Sequence, residues 1–190
     1  MDLTLSLFNQ VLIFIVVSAC LVAVSWRALL NVKCHGFYRF FAFESILVLV
    51  LLNLPYWEYD PLSIRQLFSW TFLLLSILFA ALGFHLLRKL GGMLKPRAES
   101  VENFSFENTT RLVSNGIYAY IRHPMYCALL LLAWGAYLKN YSIAATVTVC
   151  FATLCLFLTA KMEERENVEF FGASYLPYAK RTKMFIPFIF

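Results

Sequence analysis

The sequence predicts an all-α integral membrane protein with about five transmembrane helices, the last two forming a C-terminal helical hairpin. Three observations predict it. Of 190 residues, 61% are hydrophobic and only 14% charged, against about 45–50% and about 25% in an ordinary soluble domain. The apolar residues fall into separate runs, most of them near the ~20 residues that a helix needs to cross a bilayer. The basic residues gather in alternate loops, as expected where positive charge on the inner side sets orientation.

The first run, residues 5–30, carries no charge before Arg27 and follows an acidic start at Asp2. It reads as a retained helix and not as a cleaved signal peptide. Residues 40–57 and 67–87 give the second and third spans. The fourth run, residues 125–138, is short for a span, so it either starts inside the motif before it or belongs to a tight hairpin. Only residues 139–142 separate it from the fifth run, residues 143–160, which makes the last two helices antiparallel neighbours.

With the N-terminus outside, the inner side collects 14 of the 16 lysines and arginines and leaves Arg65 and Lys139 outside. The expectation is an outside N-terminus and a cytoplasmic C-terminus, in a bacterial inner membrane or the endoplasmic reticulum. The formal charge of +5 then matches anionic inner-leaflet lipids and calls for no nucleic-acid partner. The oligomeric state is left open. The five cysteines form no CxxC or Cys/His cluster and read as small apolar packing, with neither a disulfide framework nor a metal site expected.

Chemistry is spread unevenly. Residues 1–88 form three helices with few polar groups. Residues 89–123 are a cytosolic loop, opened by Gly91-Gly92 and broken by Pro96, with an alternating piece at 104–106. Its length suits a lid or binding loop, or a plain linker. Residues 124–161 are the hairpin, and residues 162–190 are a C-terminal segment at the interface or closing over a site.

At the start of the fourth run stands YIRHPMY. Proline suits the first position of a helix, where its missing N–H costs nothing, so Pro124 starts the helix with His123 at its cap. A helix start and Arg122 together make an anion site; alternatively Arg122 snorkels to lipid phosphate and His123 merely caps. The fifth helix returns to the same face carrying Glu163-Glu164. Counted from the turn, six more residues of helix put these carboxylates ~9 Å beyond Pro124. An anion-binding helix start facing carboxylates across such a gap fits S-adenosylmethionine; the bland alternative is a solvated, charged helix extension. Gly172 reads as a helix stop, followed by Tyr175 and Tyr178 at i, i+3.

Gly116-x-Tyr118, Arg122-His123-Pro124-x-Tyr126, Glu163-Glu164, Phe171-Gly172-x-x-Tyr175-x-x-Tyr178 and Pro187, in that order and spacing, resemble the isoprenylcysteine carboxyl methyltransferase family and its phospholipid methyltransferase relatives. The resemblance covers about residues 112–187. It implies an S-adenosylmethionine-dependent methyltransferase embedded in the membrane, with a cytosolic cofactor pocket formed by the hairpin and the C-terminal segment. Its acceptor would be a lipophilic small molecule or a prenylated substrate.

Carried over by position, Arg122, His123, Tyr126 and Glu164 would be the cofactor's main polar partners, with Gly116 and Tyr118 at the mouth. Pro124, Phe171, Tyr175 and Tyr178 complete the cofactor-binding set. One departure stands out: Glu166 and Asn167 occupy positions where family members often have leucines, which bears on the register of the helix extension. Methyl transfer from a sulfonium is an in-line displacement that needs no metal, and the protein chiefly aligns the reactants. A carboxylate acceptor needs a basic residue to hold it, Arg181 or Arg111, whereas an amine or thiol needs a base such as Glu163. Glu44, an ionisable residue within a span, is either an acceptor-pocket residue or a structural partner of Arg88 or Arg39.

Other readings stand beside this one. The acceptor is alternatively a phospholipid amine or a thiol. Membrane sterol-type reductases share a similar Arg-His-Pro step but bind NADPH, whose phosphates adjacent carboxylates would repel. A non-enzymatic membrane protein is the remaining class; transporters usually carry internal repeats and mid-membrane polar groups, which this sequence lacks.

Overall fold

A computed structural model describes residues 7–92 and 109–187. Pro96 and the alternating piece at 104–106 lie outside the described residues, as do Lys95 and Arg97 of the basic inner loop.

Six α-helices follow one another: α1 (Leu7–Leu29), α2 (His35–Asn53), α3 (Ile64–Leu90), α4 (Pro124–Tyr137), α5 (Ile143–Phe171) and α6 (Tyr175–Arg181). Four stretches are long and apolar enough to cross a membrane, and α4 is a shorter apolar helix. Local chemistry sets the ends. Ser63 and Ser142 cap α3 and α5 by accepting from the amides of Gln66 and Ala145, which satisfies donors the first turn leaves open. Pro55 falls in the short 3₁₀ turn Leu54–Tyr56, so α2 stops at Asn53, before the expected 57. At its other end α2 begins five residues earlier than the apolar run suggests, because the His35 amide has a partner on α5, described below.

The pairs α2·α5 and α3·α4 carry the densest packing, and α1 lies against α2. The α2–α4–α5 seam is lined by small side chains, among them Ala42, Ala133, Ala136, Ala145 and Ala152, which let backbones approach where no hydrophobic driving force separates helix from lipid. Glu44 faces α1, where Ser18 Oγ donates to its Oε2 at 2.7 Å.

Helix α4 has 14 residues, about 21 Å at ~1.5 Å per residue, shorter than the ~30 Å hydrocarbon core. Its depth is fixed at both ends. At the C-terminal end, Asn53 Nδ2 donates to the Ala136 carbonyl at 2.9 Å and Ser69 Oγ to the Gly135 carbonyl at 2.7 Å, satisfying acceptors the last turn leaves open. At the N-terminal end Pro124 and Met125 press on Gly83, where an added Cβ would lie 3.1 Å from Met125 Cγ. Since α3 continues seven residues past Gly83 to Leu90, the start of α4 is recessed roughly 10 Å below the end of α3. That recess between long helices is where the cavity lies.

The far end of the bundle is locked by Lys139, which is fully buried. Its ammonium donates to Gln66 Oε1 at 2.9 Å and sits 3.7 Å from the centre of the Trp70 ring and 5.2 Å from that of Trp57. Gln66 in turn donates to the carbonyls of Tyr56 and Tyr59, so one cation ties both connections of that end together. Lys139→Met is expected to lose about 2 kcal/mol, read as a lower denaturant midpoint; an unchanged midpoint would show the cage to be energetically idle.

Candidate functional site

Residues 121–123 lie outside any helix and are bridged to the C-terminal segment. The Arg122 amide donates to the Lys183 carbonyl at 2.8 Å, the Lys183 amide to the Tyr120 carbonyl at 3.0 Å, and the His123 amide to the Met184 carbonyl at 3.2 Å, making a parallel bridge between Ile121 and Lys183. The segment after α6 therefore pairs with the chain entering α4. Met184 and Phe185 are buried in a cluster with Ala42, Tyr126, Cys155, Leu156 and Ala160, so the C-terminal segment closes against the bundle.

The expected ~9 Å gap between the Arg-His step and the carboxylates is not there. Arg122 Nε and Nη2 both reach Glu164 Oε1 at 2.6 Å, and His123 Nδ1 lies 3.7 Å from Glu163 Oε2. A non-helical chain advances further per residue than the ~1.5 Å of a helix, so Arg122 and His123 reach the level that α5 attains by extra helical turns. What the sequence suggests as two poles is one charged cluster.

Within it the roles separate. The Arg122 guanidinium is engaged: besides Glu164 it donates through Nη1 to the carbonyls of Ala179 (2.9 Å) and Thr182. It clamps this non-helical segment, α5 and α6 together. Glu164 stands on the part of α5 beyond the ~20 residues a span requires. Burial acts to raise its carboxyl, but His123 and Arg122 outweigh burial and hold it down at about 2.

His123 occupies the N-cap position of α4 without making a side-chain cap bond. Its ring stacks on Tyr126 with centroids 5.4 Å apart and is 5% exposed. Nε2 lies 3.6 Å from Glu164 Oε1, outside hydrogen-bond range; it has no hydrogen-bond partner among the described residues.

These groups form one end of a cavity of about 280 Å³. Arg122, His123, Pro124, Glu163, Tyr175 and Tyr178 line its polar end, and Phe43, Ala80, Leu129 and Leu132 its apolar arm. Tyr118, Tyr126 and Phe171 are also in the wall. The Tyr178 hydroxyl donates to the Tyr118 carbonyl at 2.9 Å, fixing α6 over the mouth, and burial pushes the Tyr118 hydroxyl well above its ordinary range. The Phe171 and Tyr175 rings stack with centroids 6.5 Å apart, and Gly172, with φ 54°, makes the turn between their helices.

Five residues singled out from sequence are not in the cavity wall, Glu164 among them, its carboxylate engaged by Arg122. Glu44 is bonded to Ser18 and is not in the cavity wall, nor are Arg181 and Arg111, both exposed, or Gly116, which sits in an exposed turn at φ 61°. Glu44 takes this place because it projects from the α1-facing side of α2, whereas Phe43 faces the cavity.

Conversely, sequence reasoning passed over Arg39, Asn167 and the pair His35–Glu166. Glu166 Oε1 accepts from the His35 amide at 3.0 Å, and Glu166 Oε2 lies 2.7 Å from His35 Nδ1. The residue that departs from the family pattern thus anchors the first turn of α2, a favourable place for a carboxylate, and Asn167 lines the cavity. The adjacent Cys34-His35 was a signal available in the sequence: with Glu166, one ligand atom from each lies within 4.8 Å of the others.

Fold and site together define an integral membrane protein whose short fourth helix and long fifth helix frame a mostly apolar cavity with a cluster of charged side chains in its wall. A family model described as phospholipid methyltransferase matches residues 71–174, more than half of the chain, and the chain belongs to that family. Among curated relatives, it is 36% identical over 80 residues to the protein-S-isoprenylcysteine O-methyltransferase of Schizosaccharomyces pombe, covering 41% of this chain and 34% of that one. It is 33% identical over 88 residues to the human protein of the same name, covering 43% and 29%. It is also 32% identical over 73 residues to methanethiol S-methyltransferase 1 of Bradyrhizobium diazoefficiens, covering 37% and 24%. The chain thus spans between about a quarter and a third of the length of these relatives. No solved structure matches it significantly.

Proposed function

We propose that this protein is an S-adenosylmethionine-dependent methyltransferase acting on a lipophilic acceptor at the membrane, of the isoprenylcysteine carboxyl O-methyltransferase type. The observation that carries the reading is a buried imidazole nitrogen, His123 Nε2, without a hydrogen-bond partner among the described residues, in the wall of a cavity whose other end is apolar.

The residues fit the cofactor chemically. An unpartnered buried nitrogen is costly unless a ligand satisfies it, and the cofactor's carboxylate would do so by accepting from Nε2–H. With Glu164 paired to Arg122, Glu163 is the acidic side chain in the cavity wall and suits the cofactor's amino group or ribose hydroxyls. The aromatic faces of Tyr126, Tyr175 and Phe171 suit a sulfonium. When bound, S-adenosylmethionine supplies an electrophilic methyl group. The chain's own residues bind, orient and exclude water: Arg122 holds the C-terminal segment shut, Tyr178 fixes α6 over the mouth, and the apolar arm takes the acceptor's tail. The basic end of the bundle is read as cytosolic.

A carboxylate acceptor attacks without losing a proton. The similarity to a methanethiol S-methyltransferase supports a thiol as the second reading, in which Glu163 would take the proton.

Binding of S-adenosylhomocysteine to the detergent-purified protein tests the cofactor. At a hundred times its Kd the ligand should add about 2.7 kcal/mol of stability, with the gain lost in His123→Ala although that variant remains folded. Stabilisation by NADPH instead would move the protein to the reductases, and silence from both would sink the enzymatic reading.

A further inference from the structure

We propose that Cys34, His35 and Glu166 form a binding site for a divalent transition metal of the zinc class, which ties the start of α2 to the part of α5 beyond the length of a span. None of the three is in the cavity wall, so the site is separate from the methyl-transfer reading above and does not rest on it.

One donor atom from each of the three lies within 4.8 Å of the others, with Cys34 and His35 buried and Glu166 half-buried. A thiolate, an imidazole and a carboxylate together suit zinc or cobalt, whereas magnesium and calcium take oxygen donors. Cys34 is the N-cap of α2, and its Sγ accepts from the Gly36 amide at 3.3 Å, which turns the thiol back over the first helical turn. Glu166 Oε1 accepts from the His35 amide at 3.0 Å, while Oε2 lies 2.7 Å from His35 Nδ1. Two of the three donors thus already carry backbone hydrogen bonds of the kind that orient metal ligands from outside. Arg39 approaches the opposite ring nitrogen, its Nη1 3.5 Å from Nε2, and leaves the Nδ1 side to the cluster.

The rearrangement needed is small. At metal–ligand distances of about 2.0–2.3 Å, tetrahedral donors stand ~3.4–3.6 Å apart, so Nδ1 and Oε2 separate by ~0.7 Å and the sulfur closes in by ~1.2 Å at most. On binding, the thiol proton leaves to solvent and the imidazole proton moves from Nδ1 to Nε2. The neutral ring then coordinates through Nδ1 and gives up its weak contact with Arg39. Two anionic donors match the dication in charge. The Glu166 side chain is 26% exposed, which gives ions a way in and leaves the fourth position to water. The third donor stands 131 residues from the Cys34-His35 pair, so cysteine spacing alone points to no metal site.

The test uses the full chain in detergent, freed of metal by dialysis against a chelator and kept reduced with a phosphine. Calorimetry with Zn²⁺ is expected to show one site, weakened in Cys34→Ser by more than the about 10–100-fold that loss of an outer partner costs. Serine keeps an acceptor for the Gly36 amide, so this variant retains its helix cap. Co²⁺ should give a thiolate-to-cobalt charge-transfer band in wild type that is absent in Cys34→Ser, and excess Mg²⁺ should displace neither ion. Zn²⁺ should also raise the melting temperature of wild type by several degrees and leave that of Cys34→Ser unchanged.

A wild type that binds no Zn²⁺, binding undiminished in Cys34→Ser, a cobalt spectrum without the thiolate band, displacement by Mg²⁺ or an unshifted melting temperature would overturn the proposal. Should Cys34→Ser not fold, Glu166→Gln decides: a Zn²⁺ affinity weakened by the same measure supports the site, and an unchanged one refutes it. S-adenosylhomocysteine binding is measured on the same samples, and its failure would sink the methyl-transfer reading without touching the metal site.

Discussion

Arg122→Met is expected to destabilise the protein by about 3–5 kcal/mol, the cost of removing one partner from a largely buried ion pair. The side chains of Arg122 and Glu164 are only 11% and 16% exposed, so water does little to compensate a carboxylate left with only the longer contact, 3.8 Å, to the half-exposed Lys161 ammonium. The same substitution leaves the Ala179 and Thr182 carbonyls without their donor, which loosens α6 and the segment behind it. Equilibrium unfolding in mixed micelles measures the loss, and the double variant Arg122→Met/Glu164→Leu should recover a substantial part of it, since no isolated charge then remains. A single-variant cost below about 1 kcal/mol, the range of exposed pairs, would show the clamp to be solvated.

The pair also gives the protein an acid limb. Glu164 titrates at about 2 in the folded state against an ordinary 4.5. Its depressed value means that its contribution is fully present above pH ~4.5 and is lost progressively as pH falls towards 2. Stability measured across that window should fall more steeply in wild type than in Glu164→Gln, where the group no longer titrates.

Deleting residues 182–190 is expected to abolish S-adenosylhomocysteine binding while α1–α5 remain helical. The deletion removes the carbonyls of Thr182, Lys183 and Met184, which hold the Arg122 side chain and the amides of Arg122 and His123. It also strips Met184 and Phe185 from the cluster beneath Tyr126, at about 1.5–3 kcal/mol for each large side chain exposed. The His123 ring, stacked on Tyr126 and tilted against Phe185, then loses one wall. Calorimetry together with far-ultraviolet circular dichroism checks both halves; binding that survives would show the cavity to be complete without its C-terminal closure.

Much of this molecule is legible in its sequence because a bilayer simplifies folding. Lipid forces long apolar runs into helices, so the helices α1, α2, α3 and α5 follow from composition, and α4 is recognisably short with Pro124 at its start. Turn chemistry also acts locally, so Gly172 marks its helix end from sequence alone. The resemblance drawn from the ordered motif agrees with the family that the chain belongs to.

Only the tertiary structure decided what the charged residues do. The backbone state of residues 120–123 depends on pairing with Lys183 and Met184, more than 60 residues away, and that pairing turns an expected gap into a clamp. Arg39 and Glu166 belong to helices whose packing no local pattern encodes, so neither read as part of a site, while Glu44 on the neighbouring face of α2 did. Hydrophobicity is carried by each residue and is additive along the chain, so sequence alone set the helices. Recognition depends on which side chains from distant helices meet at a few ångströms, and that was fixed only by the packing of α2 on α5 and the recess left by a helix too short to match its neighbours.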